Sequence, residues 1–329
     1  MTSISHSKEA LQSFHTVTEQ HAFRTDIIEG ILKQNHINLK TIDAVVARGG
    51  LIHPIPSGTY RVNRKMREDL TASERGEHAS NLGGIIACDI AEKVRVQAFI
   101  VDPVVVDEML PVARISGMPE IERRSIFHAL NQKAVARKAA LELGMHYEEC
   151  NLIVAHLGGG ISVGAHCKGR VIDVNNAFDG DGPFAPERAG GLPAGQLVDL
   201  CFSGTITRDE IKKRLVGHAG MVAYLGTNDM RSIEENIHDP DQPKGMLYYA
   251  MAYQVSKEIG LCATVLKGNV QAIVLTGGIA HDDIFIGWIK ERTEWIARII
   301  VYPGQEEMHA LALGALRVMR GEEKVRIYK

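Results

Sequence analysis

Three consecutive glycines stand at 158–160, in the run His156-Leu157-Gly158-Gly159-Gly160-Ile161-Ser162. Backbone without Cβ atoms can approach a ligand closely, and its N–H groups can converge on phosphate oxygens. A P-loop needs a following helix and a Lys-Ser/Thr pair, and neither is present. A dinucleotide fingerprint needs glycine where Val163 stands. Two readings remain: a glycine-tipped β-hairpin that grips phosphate, or a hairpin whose glycines serve sterics alone. His156 closes the apolar run before the glycines, where an imidazole could donate to a transferring phosphoryl group. A purely structural strand histidine is the other reading.

A second glycine turn, LTGGIAHDD at 275–283, ends an apolar run and opens a helical one. Gly277 and Gly278 there would let a nucleotide lie against the backbone, while Asp282 and Asp283 fit a helix first turn, where carboxylates favour the helix dipole. Asp102 follows the apolar run QAFIV directly, so it belongs at the carboxyl end of a strand, where α/β sites open. An Asp-Pro turn opener explains it equally well. Arg48 holds the matching place after AVVA, and an arginine in a cleft calls for an anion. In DGDGPFAPERAGGLP (179–193), Asp179 and Asp181 resemble the start of a calcium loop, but position twelve is Gly190, which rejects it. Arg188 in that loop is a candidate phosphate or carboxylate clamp, with a surface ion pair as the alternative. The 14 histidines show no HExxH or similar spacing, so no resident metal is expected.

The elements that must position these residues alternate. Helical spacing covers 7–35, a buried strand follows at AVVA, and LIHPIPSGTYRVN reads as a loop. SNLGGIIACDIAEK predicts a helix, QAFIV a strand and 125–143 an amphipathic helix. Residues 152–156, 161–166 and 170–174 predict an antiparallel meander. Helices are expected at 194–202, 207–216, 229–237 and 243–267. A strand at QAIVLTGG, a helix, a strand at RIIVYPG and a helix over 306–320 complete the chain. The class is α/β.

At 329 residues the chain suits two domains. With 45% apolar and 23% charged residues it reads as globular. A net charge of −3 without a basic stripe gives no argument for nucleic acid or an anionic membrane. The densest basic run, 61–67, reads as a solvated loop or helix face. The five cysteines form no CxxC pair, lie mostly in apolar company and read as reduced core residues of a cytoplasmic protein. The opening residues carry no apolar leader core, and membrane insertion is not expected.

In order along nearly the whole chain, several motifs resemble the butyrate kinases of the acetokinase (acetate kinase) family, in the actin-like ATPase superfamily. They include ARGGLIHPIPSGTY, GEHASNLGGIIA, VDPVVVDEM, SIFHALNQKAVA, NLIVAHLGGGIS, RVIDVNNAFDGDGPFAPERAGGLP, LVDLCFSG, GMVAYLGT, MAYQVSKEIG, VLTGGIAHD and ALGALRV. The resemblance implies a two-lobed actin-like ATPase (ribonuclease H-like) fold. The first lobe would comprise 1–104 plus 306–329, and the second 105–305, with the phosphate hairpin and an adenosine loop. It implies ATP and Mg²⁺ as cofactors, and reversible transfer of the γ-phosphoryl group to butyrate or another short-chain fatty acid. It also implies a homo-oligomer. Asp102 matches the family's catalytic aspartate, His156 the histidine before the second phosphate loop, and Arg188 the arginine after a Pro-Glu pair. Arg48 lies beside the family's substrate-side arginine. Gly158, Gly159, Gly160, Gly277, Gly278 and His281 fall in the nucleotide-binding loops, with His281 where acetate kinases carry glutamate. Family members open on a strand-turn-strand with an Asn-Pro-Gly-Ser-x-Ser-x-Lys type loop, which would precede this chain. The first lobe is therefore expected to be incomplete, with unpaired strand edges. A catalytically impaired homologue that binds nucleotide or a partner is the alternative.

Overall fold

A computed structural model describes residues 2, 4, 6–229 and 237–329. The chain divides into two compact units, Met1–Val105 with Glu307–Lys329, and Val106–Glu306.

In the first unit the helical spacing at the start resolves into α1 (Lys8–Gln12) and α2 (His21–Gln34). The break between them lets Phe14 turn back onto Phe23, with ring centroids 5.5 Å apart. The sheet order is β1 (Ala44–Ala47), β3 (Gln97–Val101), β2 (Thr59–Arg61), β9 (Arg326–Ile327). Parallel pairing of β1 with β3 sets Ala47 opposite Ile100, so the residues that follow both strands emerge at one end. Strand β2 corrects the loop reading of its segment. Pro54, Pro56 and Gly58 obscure it, but Thr59 and Tyr60 are buried and pair antiparallel with Val101 and Ile100. Helix α4 (Asn81–Val94) buries Leu82, Ile85, Ile86 and Ile90 in the same core as Ala98 and Ile100 of β3. The basic run opens α3 (Arg64–Ala72), where Arg64 and Lys65 pair one turn on with Glu68 and Asp69. Helix α12 (Glu307–Met319) closes the unit beside β1 and β3.

The second unit is built on the sheet β6 (Arg170–Val174), β5 (Ile161–Cys167), β4 (Asn151–Leu157), β7 (Ala272–Gly277), β8 (Ile299–Pro303). The first three strands form the expected antiparallel meander, and β7 and β8 continue parallel to β4. Every residue of β4 is buried, because both faces of the sheet are covered. Ile153, Ala155 and Leu157 join the core with α10 (Pro243–Val265) and α11 (Asp283–Thr293). Leu152 and Val154 join the other with α6 (Ala129–Glu142), as the two-residue alternation of a strand requires. Shorter helices complete the unit: α5 (Pro111–Arg114), α7 (Ala194–Cys201), α8 (Arg208–Leu215) and α9 (Met221–Leu225). The helix read at 229–237 falls on 230–236, outside the described residues. All five cysteines are free thiols. Cys150 and Cys262 are buried, Cys88 and Cys167 are partly buried, and Cys201 is exposed. Among the described residues no helix is long and apolar enough to cross a membrane.

Candidate active site

Strand β4 carries His156 to the sheet's carboxyl edge, and β5 returns from the Gly158–Gly160 tip with Ser162 opposite it. The His156 ring is buried, and its Nδ1 lies 2.8 Å from Asn131 Oδ1. An amide oxygen only accepts, so Nδ1 carries the proton and Nε2 is the nitrogen turned away from Asn131. That nitrogen points at the hairpin: a Cβ on Gly158 would lie 2.9 Å from it. Glycine at 158 is therefore what brings backbone and imidazole together. The amide of Gln305 reaches the same nitrogen at 3.3 Å.

The second glycine turn abuts the first. Gly277 ends β7 at φ +98, and a Cβ there would fall 2.3 Å from the Leu157 carbonyl oxygen. No L side chain fits that spot, so glycine alone allows β7 to close on the base of the hairpin. Gly277 and Gly304 exchange backbone hydrogen bonds at 3.1 and 2.9 Å, and the Gly278–His281 turn follows. His156, Gly158–Gly160, Gly277, Gly278, His281 and Gln305 thus gather where β4, β7 and β8 end, as ligand sites in α/β sheets do.

Arg188 joins them through the preceding residue. The Glu187 N–H donates to the Gly159 carbonyl at 3.1 Å, which ties the PER turn to the hairpin tip. The Arg188 guanidinium reaches the Glu187 carboxylate only at 3.4 Å, and its Nε is buried with no hydrogen-bond partner among the described residues. It lines a shallow cleft with Ile161, Ala177, Phe178, Asp181 and Pro183 among others.

The first unit holds the other two singled-out residues. Asp102 follows β3 with φ +38, a conformation uncommon for a non-glycine residue and costly to hold. What holds it is its own carboxylate, which accepts from the Ser57 hydroxyl at 2.6 Å and the Gly58 N–H at 2.8 Å. Arg48 emerges at the same end of that sheet, half exposed, and its guanidinium pairs with Glu307 at the start of α12. In this arrangement a carboxylate of its own unit holds the Arg48 guanidinium.

The sequence model of the acetokinase family matches residues 119–288, which is more than half of the chain. The chain belongs to the acetokinase family. Solved structures agree on the fold. The acetate kinase of Porphyromonas gingivalis superimposes with TM-score 0.77 at 19% identity, over 90% of this chain and 84% of that one. A propionate kinase from Francisella tularensis gives 0.71 at 19% identity, over 87% and 82%. The acetate kinase of Entamoeba histolytica gives 0.74 at 17%, over 91% and 85%. The architecture is thus the α/β fold of the actin-like ATPase and sugar kinase group.

Within this acetokinase-family chain, three residues near the hairpin escape a sequence reading. His128 immediately precedes α6 and stacks on His156, with centroids 3.9 Å apart and planes 16° apart. Its Nδ1 meets the Ser162 hydroxyl at 2.9 Å. Gln132 donates to that hydroxyl at 2.8 Å and accepts from His166 Nε2 at 3.0 Å, and the Tyr147 hydroxyl meets His166 Nδ1 at 2.7 Å. Burial, reinforced by Lys133 and Arg137, holds His166 well below the usual histidine range, so it stays neutral and anchors the chain. Asn131 and Glu187 are the other two. The only sequence signal for the first pair is the i, i+3 spacing of His128 and Asn131, which sets both on one helix face.

Asp282 settles as the cap that its position suggested. It accepts from the Ile284 and Phe285 N–H groups, and takes His238 Nε2 at 2.7 Å and the Tyr248 hydroxyl at 3.0 Å. Burial pushes its carboxyl up, but His238, the Phe285 N–H and Tyr248 outweigh burial and hold it below the ordinary value. Asp282→Ala is expected to lower stability by about 1–2 kcal/mol, the usual cost of a lost cap. Because the folded chain holds the proton more weakly, the contribution is complete above about pH 4 and vanishes as pH falls through the folded value. Urea midpoints of the two proteins should differ at neutral pH and converge in acid. A gap that persists undiminished in acid would contradict this assignment.

Proposed function

We propose that the chain transfers the γ-phosphoryl group of ATP to the carboxylate of a short-chain fatty acid, butyrate foremost, and runs the reverse reaction as well. The observation that carries this reading is the gathering of His156, the Gly158–Gly160 hairpin and the Gly277–Gly278 turn at one sheet edge, with the Arg188 loop tied to the hairpin tip through the Glu187 N–H. Backbone N–H donors with a guanidinium beside them fit an anion that gains charge on its equatorial oxygens during transfer. The motifs shared with butyrate kinases support butyrate over acetate or propionate.

The residues present suit a nucleotide. The second glycine turn leaves open space beside Gly278, and the Arg188 Nε is buried with no hydrogen-bond partner among the described residues. They also suit Mg²⁺ carried by the nucleotide. Among the described residues no three acidic, histidine or cysteine side chains surround a cation site, and Mg²⁺ commonly binds through phosphates, waters and one or two carboxylates. Bound, the Mg²⁺ nucleotide supplies the phosphoryl group and neutralises part of its charge. Gly158, Gly159 and Gly160 would hold phosphate oxygens by N–H groups, with Gly277, Gly278 and His281 against the nucleoside side. His156 would present Nε2 to the transferring group, its orientation fixed by Asn131 and the stacked His128. Arg188 would clamp two oxygens at once. Asp102, held by Ser57 and Gly58, would position the acceptor or a metal-bound water, with Arg48 assigned to the acceptor carboxylate.

Trapping acyl phosphate with hydroxylamine tests the reading, using acetate, propionate, butyrate and isobutyrate as acceptors. The highest kcat/KM is expected with butyrate. A preference for acetate or propionate would remove the substrate assignment, and no trapped product from any acid would remove the kinase assignment.

A further inference from the structure

We propose that Glu187 is a positioning residue that makes phosphate binding depend on the divalent cation, holding Arg188 while the site lacks nucleotide and opposing any phosphate tail that arrives without its metal. The inference rests on the acyl kinase reading and extends it to a residue that reading does not use. Its backbone N–H is bonded to Gly159 at the hairpin tip. Its carboxylate lies against the open face of that glycine: a Cβ on Gly159 would sit 3.5 Å from the carboxyl carbon, and 3.6 and 3.7 Å from its oxygens. One carboxylate oxygen accepts from the Asn228 amide, and the other faces Arg188 Nη1 at 3.4 Å. A negative charge is therefore fixed beside the backbone that is to receive phosphate.

Two anions at such range repel unless a cation lies between them or one withdraws. The Arg188 contact is long for a charged hydrogen bond, and the carboxylate is 30% exposed, so the guanidinium can pass to phosphate oxygens without breaking a buried pair. Released from Arg188, the carboxylate is left facing the phosphates, where a divalent cation turns repulsion into attraction. Phosphate without metal meets Glu187 as a competitor for Arg188, and phosphate with metal meets it as a partner.

The test is equilibrium binding of ATP by calorimetry, with Mg²⁺ or with EDTA, to wild type, Glu187→Gln and Asn228→Ala. Glutamine keeps the size and a hydrogen-bonding oxygen while it removes the charge. Wild type is expected to bind MgATP much more tightly than metal-free ATP. Glu187→Gln should bind metal-free ATP about tenfold more tightly than wild type does, and its ratio of metal-free to metal-bound Kd should shrink accordingly. Asn228→Ala, which keeps the charge, should retain the wild-type preference for the metal complex. If thermal melting shows Glu187→Gln unfolded, Glu187→Asp is titrated instead, with a smaller drop in the ratio expected. An unchanged ratio in the folded variant overturns the inference and leaves the kinase reading standing. Absence of ATP binding by wild type under both conditions overturns both.

Discussion

Arg188→Ala is expected to lower kcat for acyl phosphate formation by about 10³-fold while shifting the melting temperature little. The rate effect follows from where the charge sits. A guanidinium beside a transferring phosphoryl group stabilises charge that peaks in the transition state, and such arginines are worth about 10³–10⁵ in kcat. The lower end applies because His156 and the hairpin N–H groups remain to share the load. The modest stability effect follows from how little the side chain does for the fold. Its hydrogen bonds are to the carbonyl and carboxylate of its own neighbour Glu187, at 3.2 and 3.4 Å, and its Nε bonds to nothing among the described residues. The backbone bridges from residue 188 to Ala185 and Val216 need no side chain. Arg188→Lys should recover only a small part of the rate, since a point charge cannot clamp two oxygens in one plane. Steady-state kinetics with saturating ATP and butyrate, beside a thermal melt, decide the matter. A loss below tenfold would strip Arg188 of its role, and a collapsed melt would make it a fold residue.

How far the chain could be read in advance depended on where the partner of each residue lies. The meander of β4, β5 and β6 was legible because its apolar runs and glycine turns are contiguous, and a hairpin's partner is its neighbour. Strand β2 was not, since Thr59 and Tyr60 become a strand only by pairing with Val101 and Ile100 of β3. The same distinction divides the site. The glycines at 158–160 and 277–278 announce themselves locally, but the close approach of Gly277 to Leu157 exists only once β7 has paired with β4. His128 carries no local signal, because its stacking on His156 depends on α6 packing across β4. The pairing of Arg48 has no local signal either, because Glu307 lies near the other end of the chain. Asp102 was placed correctly at the end of a strand, but local sequence gives no hint of φ +38 or of the Ser57–Gly58 grip that maintains it.

Stability should depend most on a group with no part in the proposed chemistry. Lys133, on α6, is wholly buried, and its ammonium meets Glu108 Oε2 at 2.6 Å and the Gly169 carbonyl at 2.9 Å. The same Glu108 oxygen accepts from the Val171 N–H at 3.0 Å, so one ion pair joins α6, the β5–β6 turn and the chain entering α5. Taking one partner away leaves a carboxylate that is only 11% exposed without its counter-charge. Such losses cost about 3–5 kcal/mol, well above the worth of the pair itself. Lys133→Met is therefore expected to lower the unfolding free energy by that amount, seen as a lower urea midpoint at an unchanged m-value. The double variant Lys133→Met with Glu108→Leu should recover much of the loss, because the desolvated charge is gone and the space is filled by apolar side chains. Recovery will not be complete, since the Val171 N–H and the Gly169 carbonyl lose their partners. If the double variant is no more stable than Lys133→Met, the cost lies in packing and not in the stranded charge. A single-variant loss under about 1 kcal/mol would put the pair among ordinary surface bridges.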